Sequence, residues 1–134
     1  MEPRVGVAVF IMEYDKFVML ERQGSHGAGT WSIPGGAMEF GEHWFATAVR
    51  ELKEEVGMYP YSLQYLTITN DIMYDQHWVT IWLIAQARGQ QPRNLESHKA
   101  KQVTWQSFDN LPQPLFGPWQ QLFDTVEYQS WDIS

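Results

Sequence analysis

The feature that most constrains the fold is a stretch of helix-forming residues from His43 to Val56 that contains no proline or glycine. Apolar residues recur in it at spacings of three and four, the period of a helix with one buried face: Phe45, Ala48, Val49, Leu52 and Val56. Gly57 follows directly and predicts the end of the helix. The sequence therefore predicts one amphipathic helix over residues 43–56.

Strand-forming segments surround this helix. Five stretches have the β-branched, aromatic and apolar composition of strands: Arg4–Met12, Phe17–Glu21, Leu63–Thr69, Trp78–Ala87 and Gln102–Trp105. Residues 13–16 form a predicted hairpin turn, and a closing helix is predicted from Pro118 to Tyr128. Pro34-Gly35-Gly36 is interpreted as a turn where the backbone can approach a ligand closely. The predicted order is two strands, a helix, three strands and a helix.

Composition bounds the class of protein. With 134 residues, 44% of them hydrophobic, a single domain over residues 1–134 is expected. The net charge of −7 argues against binding to duplex nucleic acid or to an anionic membrane. Cysteine is absent, which excludes disulfides and a cysteine nucleophile. The longest apolar run, Val5–Met12, is far shorter than the ~18 residues of a membrane span, and a cytoplasmic protein is expected.

Three glutamates lie on one side of the predicted helix. At about 100° per residue, Glu51, Glu54 and Glu55 fall within one arc beside the apolar face. Their mutual repulsion favours a bound cation, and Arg50 can pair with Glu54 at i,i+4 but leaves the other carboxylates uncompensated. Carboxylate oxygens completed by phosphate and water suit Mg²⁺ or Mn²⁺. The alternatives are a solvated helix face and a site for metal-assisted attack on a phosphate ester.

The same glutamates belong to a longer pattern of fixed spacing. Gly36 is followed after five residues by Glu42, and after seven more by Arg50-Glu51-Leu52-Lys53-Glu54-Glu55-Val56-Gly57-Met58. This segment, residues 36–58, resembles the Nudix box, Gly-x5-Glu-x7-Arg-Glu-(apolar)-x-Glu-Glu-x-Gly-(apolar), at every specified position. The resemblance implies a Nudix hydrolase. Such an enzyme has an α/β fold, with a mixed β-sheet sandwiched between helices, and catalyses Mg²⁺-dependent attack of water on a diphosphate linked to another moiety.

The resemblance also implies roles for residues of the box. One carbonyl and three carboxylates would hold Mg²⁺ or Mn²⁺: those of Gly36, Glu51, Glu54 and Glu55. Arg50 would orient the glutamates, and Glu42 would brace the loop before the helix. Metal ions there would neutralise the diphosphate and help a bound water molecule to lose its proton.

Segments before, within and after the box resemble the MutT-related nucleotide diphosphatases of animals and plants. These segments are residues 24–31, 34–36, 39–42 and 114–119. By similarity, substrate is expected beside Gly35, with a nucleobase pocket formed by Ile33, Thr80, Phe116, Gly117 and Trp119. Arg22 and Lys99 match positions that contact phosphate in such relatives. Ordinary core packing for the aromatic residues, and solvated surface charge for Arg22 and Lys99, are the alternatives.

One loop departs from the pattern of these relatives. They often have Glu-Pro-Glu-Lys before the last strand, whereas this chain has Glu96-Ser97-His98-Lys99. His98 therefore replaces the second glutamate, which in such enzymes can serve as a metal ligand or base. The general base is left open between Glu96, His98 and the glutamates of the box.

The function predicted from these features is hydrolysis of a nucleoside triphosphate to a nucleoside monophosphate and pyrophosphate. An oxidised or otherwise noncanonical purine, or a pyrimidine deoxynucleotide, is a candidate substrate. One alternative is another diphosphate, such as an isoprenyl diphosphate or a nucleotide sugar. A second alternative is a non-catalytic nucleotide-binding module. The aromatic content of 15% also leaves a homodimer with an apolar interface open.

Overall fold

The computed structural model describes residues 2–24, 27–73, 75–119 and 122. The elements follow in chain order: β1 Arg4–Glu13, β2 Lys16–Arg22, β3 Trp31–Ser32, β4 Gly35–Ala37, α1 Trp44–Val56, β5 Tyr61–Met73, β6 Gln76–Gln86 and β7 Ala100–Ser107. A short 3₁₀-helix at Phe108–Asn110 comes after β7. Within the described ranges, no helix is long and apolar enough to cross a membrane.

Strand β1 organises a mixed sheet. The strand order is β3-β2-β1-β6-β5, while β4 pairs with β1 and β7 pairs with β2. β1 and β6 are parallel, from the pair Arg4 and Trp78 to the pair Met12 and Gln86. The other pairings are antiparallel. Parallel neighbours need a crossover connection, and α1 lies in the chain between these two strands. The predicted mixed sheet is confirmed, together with one helix; helices on both faces of the sheet remain a prediction.

Alternate residues of β1 supply two cores, as the period of two in a strand requires. One core combines β1 with the buried side of α1: Val7, Val9, Ile11, Ala48, Leu52 and Val56. The other is rich in aromatic side chains: Phe10, Met12, Phe17, Trp82, Trp119 and Leu122. Burial of each large apolar side chain stabilises the fold by about 1.5–3 kcal/mol. The helix is therefore held against β1 by its aliphatic face, and this contact sets the position of the glutamates that the helix carries.

The predicted helix is confirmed, with caps at both ends. His43 precedes the first turn, and its ring Nδ1 accepts a hydrogen bond from the Phe45 amide at 3.1 Å. Gly57 ends the helix in the left-handed region at φ 68°, where glycine is favoured. The assignment of Phe45 to the buried face is wrong, since Phe45 is 41% exposed. Thr47 is buried in that turn, and its hydroxyl donates to Glu42 Oε1 at 2.8 Å.

The interpretation of Pro34-Gly35-Gly36 as a turn is wrong. Gly35 and Gly36 belong to β4 and pair with Ala8 and Val7 of β1. A Cβ atom on Gly35 would lie 2.0 Å from the Val7 carbonyl oxygen, so only glycine allows this pairing. The close backbone approach that Gly35 and Gly36 permit is therefore an approach to β1.

The remaining strand predictions are confirmed in position but are too short. β5 and β7 extend beyond the predicted limits at both ends, while β6 begins two residues earlier and ends one residue earlier than predicted. The two-residue strand β3 was not predicted. In the predicted closing helix, Pro118, Trp119 and Leu122 have helical geometry, and the other residues of that segment lie outside the described residues.

Candidate active site

The guanidinium of Arg50 joins α1 to the chain that precedes it. Its Nε and Nη2 donate to the two carboxylate oxygens of Glu42 at 2.8 and 3.0 Å, and Nη2 also donates to the Ala37 carbonyl at 3.0 Å. Nη1 donates to Glu51 Oε1 at 2.7 Å and lies 3.7 Å from Glu54 Oε2. The predicted pairing of Arg50 with Glu54 is thus a long contact, and the planar guanidinium mainly holds Glu42 and Glu51.

Glu42 is held as an anion by hydrogen-bond donors. Besides Arg50, the Glu39 amide donates to Glu42 Oε1 at 3.0 Å and the Thr47 hydroxyl donates at 2.8 Å. These donors, with Arg50 first, lower the pKa of Glu42 to about 2. Residues 39–42 are consequently tied to the first turns of α1.

The short strand β4 meets the next two carboxylates. Glu55 Oε1 accepts a hydrogen bond from the Gly35 amide at 2.8 Å. A Cβ atom on Gly36 would lie 2.3–2.7 Å from the carboxylate atoms of Glu51, so this side chain packs directly on the Gly36 backbone. β4 is itself paired with β1, so the sheet determines where both carboxylates lie.

Burial destabilises the charged forms of the Glu51 and Glu55 carboxylates unless a positive charge compensates them. Burial raises the pKa of Glu55 to about 8, although the Gly35 amide acts in the opposite direction. Burial also raises the pKa of Glu51, while Arg50 opposes the shift. Within the described ranges, no three or more His, Cys, Asp or Glu side chains already converge on a common metal position. The donor set nevertheless fits a hard divalent cation, because carboxylate oxygens and a backbone carbonyl such as that of Gly36 are the ligands that such a cation prefers.

The loop before β7 lies close to this cluster. The Lys99 ammonium is 3.8 Å from Glu96 Oε1, and the Lys99 and Ala100 amides donate to the Glu96 carbonyl. The Glu96 carboxylate raises the pKa of Glu55 and the Lys99 ammonium lowers it, after the larger effects of burial, the Gly35 amide and Glu51. Both side chains are therefore near enough to act on Glu55. The side-chain amide of Gln23, the residue that follows β2, also donates to the Ser97 carbonyl, which ties the loop to the end of β2.

A cavity of about 180 Å³ adjoins the glutamate cluster across Gly35 and Gly36, which line it. Six of the residues predicted to bind substrate line this cavity: Arg22, Ile33, Gly35, Thr80, Phe116 and Trp119. Gly117 and Lys99 are not among the lining residues found in the described part of the chain. The Arg22 guanidinium carbon lies 4.0 Å from the centre of the Phe116 ring. Trp119 is also fully buried in the aromatic core, so its packing role and its place in the cavity wall coexist.

Several lining residues were not predicted from the sequence. Asp71 and Met73 of β5, and Gln76 and Trp78 of β6, complete one side of the cavity. Asp71 carries a usable sequence signal, because aspartate is depleted in strands and here interrupts a β-rich segment. The signal does not show which face of the strand Asp71 occupies.

Replacing Glu42 by Gln is expected to destabilise the protein in a pH-dependent way. The lowered pKa of Glu42 means that its stabilisation is fully present above the ordinary value of 4.5 and is lost as the pH falls through about 2. Urea unfolding should show a less stable Glu42→Gln variant at neutral pH, with a difference that shrinks below pH 4.5. Glu39→Gln is the matched control, since that side chain is 67% exposed. A pH-independent difference would contradict the assignment.

Replacing Glu55 by Gln is expected to stabilise the metal-free protein in alkaline solution. Its pKa is raised to about 8, so the buried carboxyl group costs stability as the pH rises from 4.5 to about 8. Gln keeps the acceptor for the Gly35 amide and carries no charge. With EDTA present, Tm should exceed that of the wild type by about 5 °C or more above pH 8, with no difference near pH 4.5.

Glu54→Gln is the control for this measurement, because the Glu54 side chain is 49% exposed and its replacement should change Tm little. A Glu55→Gln variant that melts below the wild type at alkaline pH would show that Glu55 is not destabilised by its burial.

Known proteins resemble this chain in both sequence and structure. Residues 2–124 match the family model of the NUDIX domain. The MutT NUDIX hydrolase from Burkholderia pseudomallei is 30% identical and superposes with a TM-score of 0.80, over 86% of this chain and 91% of that chain. The NUDIX domain of Shewanella oneidensis NrtR, crystallised with ADP ribose, is 20% identical with a TM-score of 0.75, over 92% of this chain and 86% of that chain. The second likeness shows the fold alone.

Curated relatives match the same region. The mouse 8-oxo-dGDP phosphatase NUDT18 is 29% identical over 114 residues, which are 83% of this chain and 34% of that protein. This chain thus spans about a third of the length of that relative. The ADP-ribose pyrophosphatase of Methanocaldococcus jannaschii is 28% identical over 118 residues, which are 87% of this chain and 69% of that protein. Since the NUDIX domain matches nearly the whole chain and the predicted box lies within the matched range, the protein belongs to the Nudix hydrolase family.

Proposed function

We propose that this protein is a pyrophosphohydrolase that converts a nucleoside triphosphate to a nucleoside monophosphate and pyrophosphate. The observation that carries the proposal is the double contact of β4. Gly35 and Gly36 contact the carboxylates of Glu55 and Glu51, and the same two residues line the largely apolar cavity. A substrate base in the cavity would thereby place its phosphates beside the carboxylates, which is the arrangement that hydrolysis of a nucleotide requires.

The carboxylates would act through a divalent cation. Glu51, Glu54 and Glu55, with the Gly36 carbonyl, would hold Mg²⁺ or Mn²⁺. The cation supplies charge neutralisation for the phosphates and lowers the pKa of a bound water molecule. Arg50 keeps Glu51 in place through its 2.7 Å hydrogen bond, and Glu42 in turn keeps Arg50 in place.

Other residues would position the substrate and move the proton. Arg22 lies in the cavity wall against Phe116 and can meet a phosphate or a ribose oxygen at the mouth. Lys99 acts electrostatically on Glu55, so it can also attract phosphate to the cluster. Glu96 is the favoured general base, because its carboxylate acts on the same cluster and can accept a proton from water.

The names of the relatives support a nucleotide as the substrate. The NUDT18 proteins are described as 8-oxo-dGDP phosphatases, and a Mycobacterium tuberculosis relative, 32% identical over 85 residues, is described as a putative 8-oxo-dGTP diphosphatase. An ADP-ribose pyrophosphatase among the relatives supports a nucleotide sugar as the second candidate. An isoprenyl diphosphate is the third, because the cavity wall is largely apolar. The intact glutamates argue against a non-catalytic module.

The remaining sequence predictions are part of the same proposal. A single domain over residues 1–134, a cytoplasmic location and a homodimer stay predictions.

Glu54→Gln is expected to lower kcat by at least ~10²-fold, because the amide has nearly the same shape but offers no anionic ligand to Mg²⁺. The protein is assayed with deoxynucleoside triphosphates and geranyl diphosphate at saturating Mg²⁺. Products formed in H₂¹⁸O should be a monophosphate and pyrophosphate, with the label on one of them. Glu2→Gln, an exposed glutamate far along the chain from the box, is the matched control. Full activity of Glu54→Gln would contradict the metal assignment.

Glu96→Gln is expected to lower kcat by about 10²–10⁴-fold if Glu96 is the general base, while His98→Gln should change kcat little. The two variants are compared over a pH series at saturating substrate and Mg²⁺. Loss of the acidic limb of the profile in His98→Gln alone would assign the base to His98. Full rates in both variants would place the base among the glutamates of the box.

A further inference from the structure

A long loop joins β6 to β7 and passes the end of α1. It comprises residues 87–99, which contain no helix or strand. Loops of about this length without secondary structure are uncommon in compact domains, and most of them are either functional or disordered. This loop is fixed by hydrogen bonds along its length, and it carries Glu96 and Lys99. Its attachments therefore decide where these two side chains lie.

The first attachment is to the last turn of α1. The Arg93 amide donates to the Val56 carbonyl at 3.0 Å. The Leu95 amide donates to the Glu55 carbonyl at 3.1 Å. The last carbonyls of a helix have no partner within the helix, so the loop satisfies groups that would otherwise need water. A Cβ atom on Gly57 would lie 2.7 Å from the Arg93 guanidinium and 3.2 Å from the Leu95 side chain, so both side chains pack on the helix end.

The second attachment is to the sheet, through Asn94. Its side-chain Nδ2 donates to the Ala100 carbonyl at 2.9 Å. Ala100 is 5% exposed and is the first residue of β7, which pairs with β2. The bond closes residues 94–100 into a turn, within which the Lys99 and Ala100 amides donate to the Glu96 carbonyl at 2.8 and 3.1 Å. A fixed point of the sheet therefore holds the turn that carries Glu96.

Glu96 lies directly after these two attachments. Leu95 is bound to the main chain of Glu55, and Asn94 is bound to β7. The Glu96 side chain is only 22% exposed. A carboxylate on an unattached loop would have to be ordered at an entropic cost whenever it was needed beside the helix. The two attachments supply this order before any substrate binds, as positioning of a catalytic group requires.

We propose that Asn94 is a positioning residue, which holds Glu96 beside Glu55 by closing the 94–100 turn against β7. The inference rests on the proposed function, in which Glu96 accepts a proton from water. Asn94 would touch neither the cation nor the substrate and would act only through Glu96. Misplacement of a catalytic group by about 1 Å can lower a rate by about 10²-fold, so one hydrogen bond outside the site can govern turnover.

Gln90 offers a matched side-chain amide at the opposite end of the loop. It donates to the Tyr59 and Ala87 carbonyls at 2.9 and 2.7 Å, and it accepts from the Tyr59 amide at 2.8 Å. Gln90→Ala therefore removes three hydrogen bonds, whereas Asn94→Ala removes one. A role in stability alone predicts that Gln90→Ala lowers both Tm and kcat more. A positioning role predicts that Gln90→Ala lowers Tm more, while Asn94→Ala lowers kcat more.

The test first measures backbone amide hydrogen exchange by NMR in the metal-free protein. Asn94→Ala should speed the exchange of three amides in the turn by roughly 2- to 10-fold, the effect of one lost hydrogen bond, and should leave β1 unchanged. These are the amides of Leu95, Lys99 and Ala100. Gln90→Ala should leave all three unchanged. Unchanged exchange in Asn94→Ala would overturn the inference.

The test then measures kcat at saturating Mg²⁺ on the deoxynucleoside triphosphate that the wild type hydrolyses fastest. Asn94→Ala should lower kcat by about 10- to 100-fold. It should lower kcat no further in a Glu96→Gln background, because its effect passes through Glu96. Gln90→Ala should leave kcat near the wild-type value.

Three kinetic results would overturn the inference: independent losses in the double variant, an equal loss of kcat in Gln90→Ala, or full activity of Glu96→Gln, which leaves Asn94 nothing to position. A wild type that hydrolyses no triphosphate would instead refute the proposed function. The exchange measurement would then still decide whether Asn94 holds the turn that carries Glu96.

Discussion

The guanidinium of Arg50 is the interaction on which the candidate active site depends. It binds both oxygens of Glu42, the Ala37 carbonyl and Glu51 Oε1, and so connects the loop, β4 and the helix at one point. The acidic helix would otherwise bring like charges together with no fixed geometry. The single positive charge of Arg50 cannot balance all the carboxylates around it. The cluster therefore keeps an excess of negative charge that a divalent cation can neutralise. A lysine could not replace it, since one ammonium does not supply this planar set of donors.

The second constraint is the close pairing of β4 with β1. Gly35 lies so near the Val7 carbonyl that a side chain would not fit, and its amide then reaches Glu55. The same glycine lines the cavity, as Thr80 and Asp71 do. One short strand thus joins the carboxylate cluster to the cavity, and the distance between the two is set by backbone pairing rather than by mobile side chains. Such rigid placement is what positioning a substrate against a catalytic group requires.

The sequence predicted the elements with strong periodic signals and missed those that tertiary pairing creates. The helix limits followed from local rules, because Gly57 and the periodic apolar residues define the helix without help from the rest of the chain. Strand β4 was interpreted as a turn, because Gly35 and Gly36 have low strand propensity and only their pairing with β1 makes them a strand. The box glutamates were found by their spacing. Asp71 was not, because β5 changes register against β6 near Tyr61 and Tyr65, and each shift alters which face the following residues occupy.

The central claim is that a divalent cation and a nucleotide bind next to each other at β4. It is tested most directly by titrating ¹⁵N-labelled protein with Mn²⁺, in the presence and absence of dGMP, and following the backbone amide and indole signals. The account predicts that Mn²⁺ broadens the signals of Gly35, Gly36 and the last turns of α1, while dGMP shifts the indole signal of Trp78 in the cavity wall. Broadening centred on another acidic region, with no effect at Gly35 and Gly36, would contradict it.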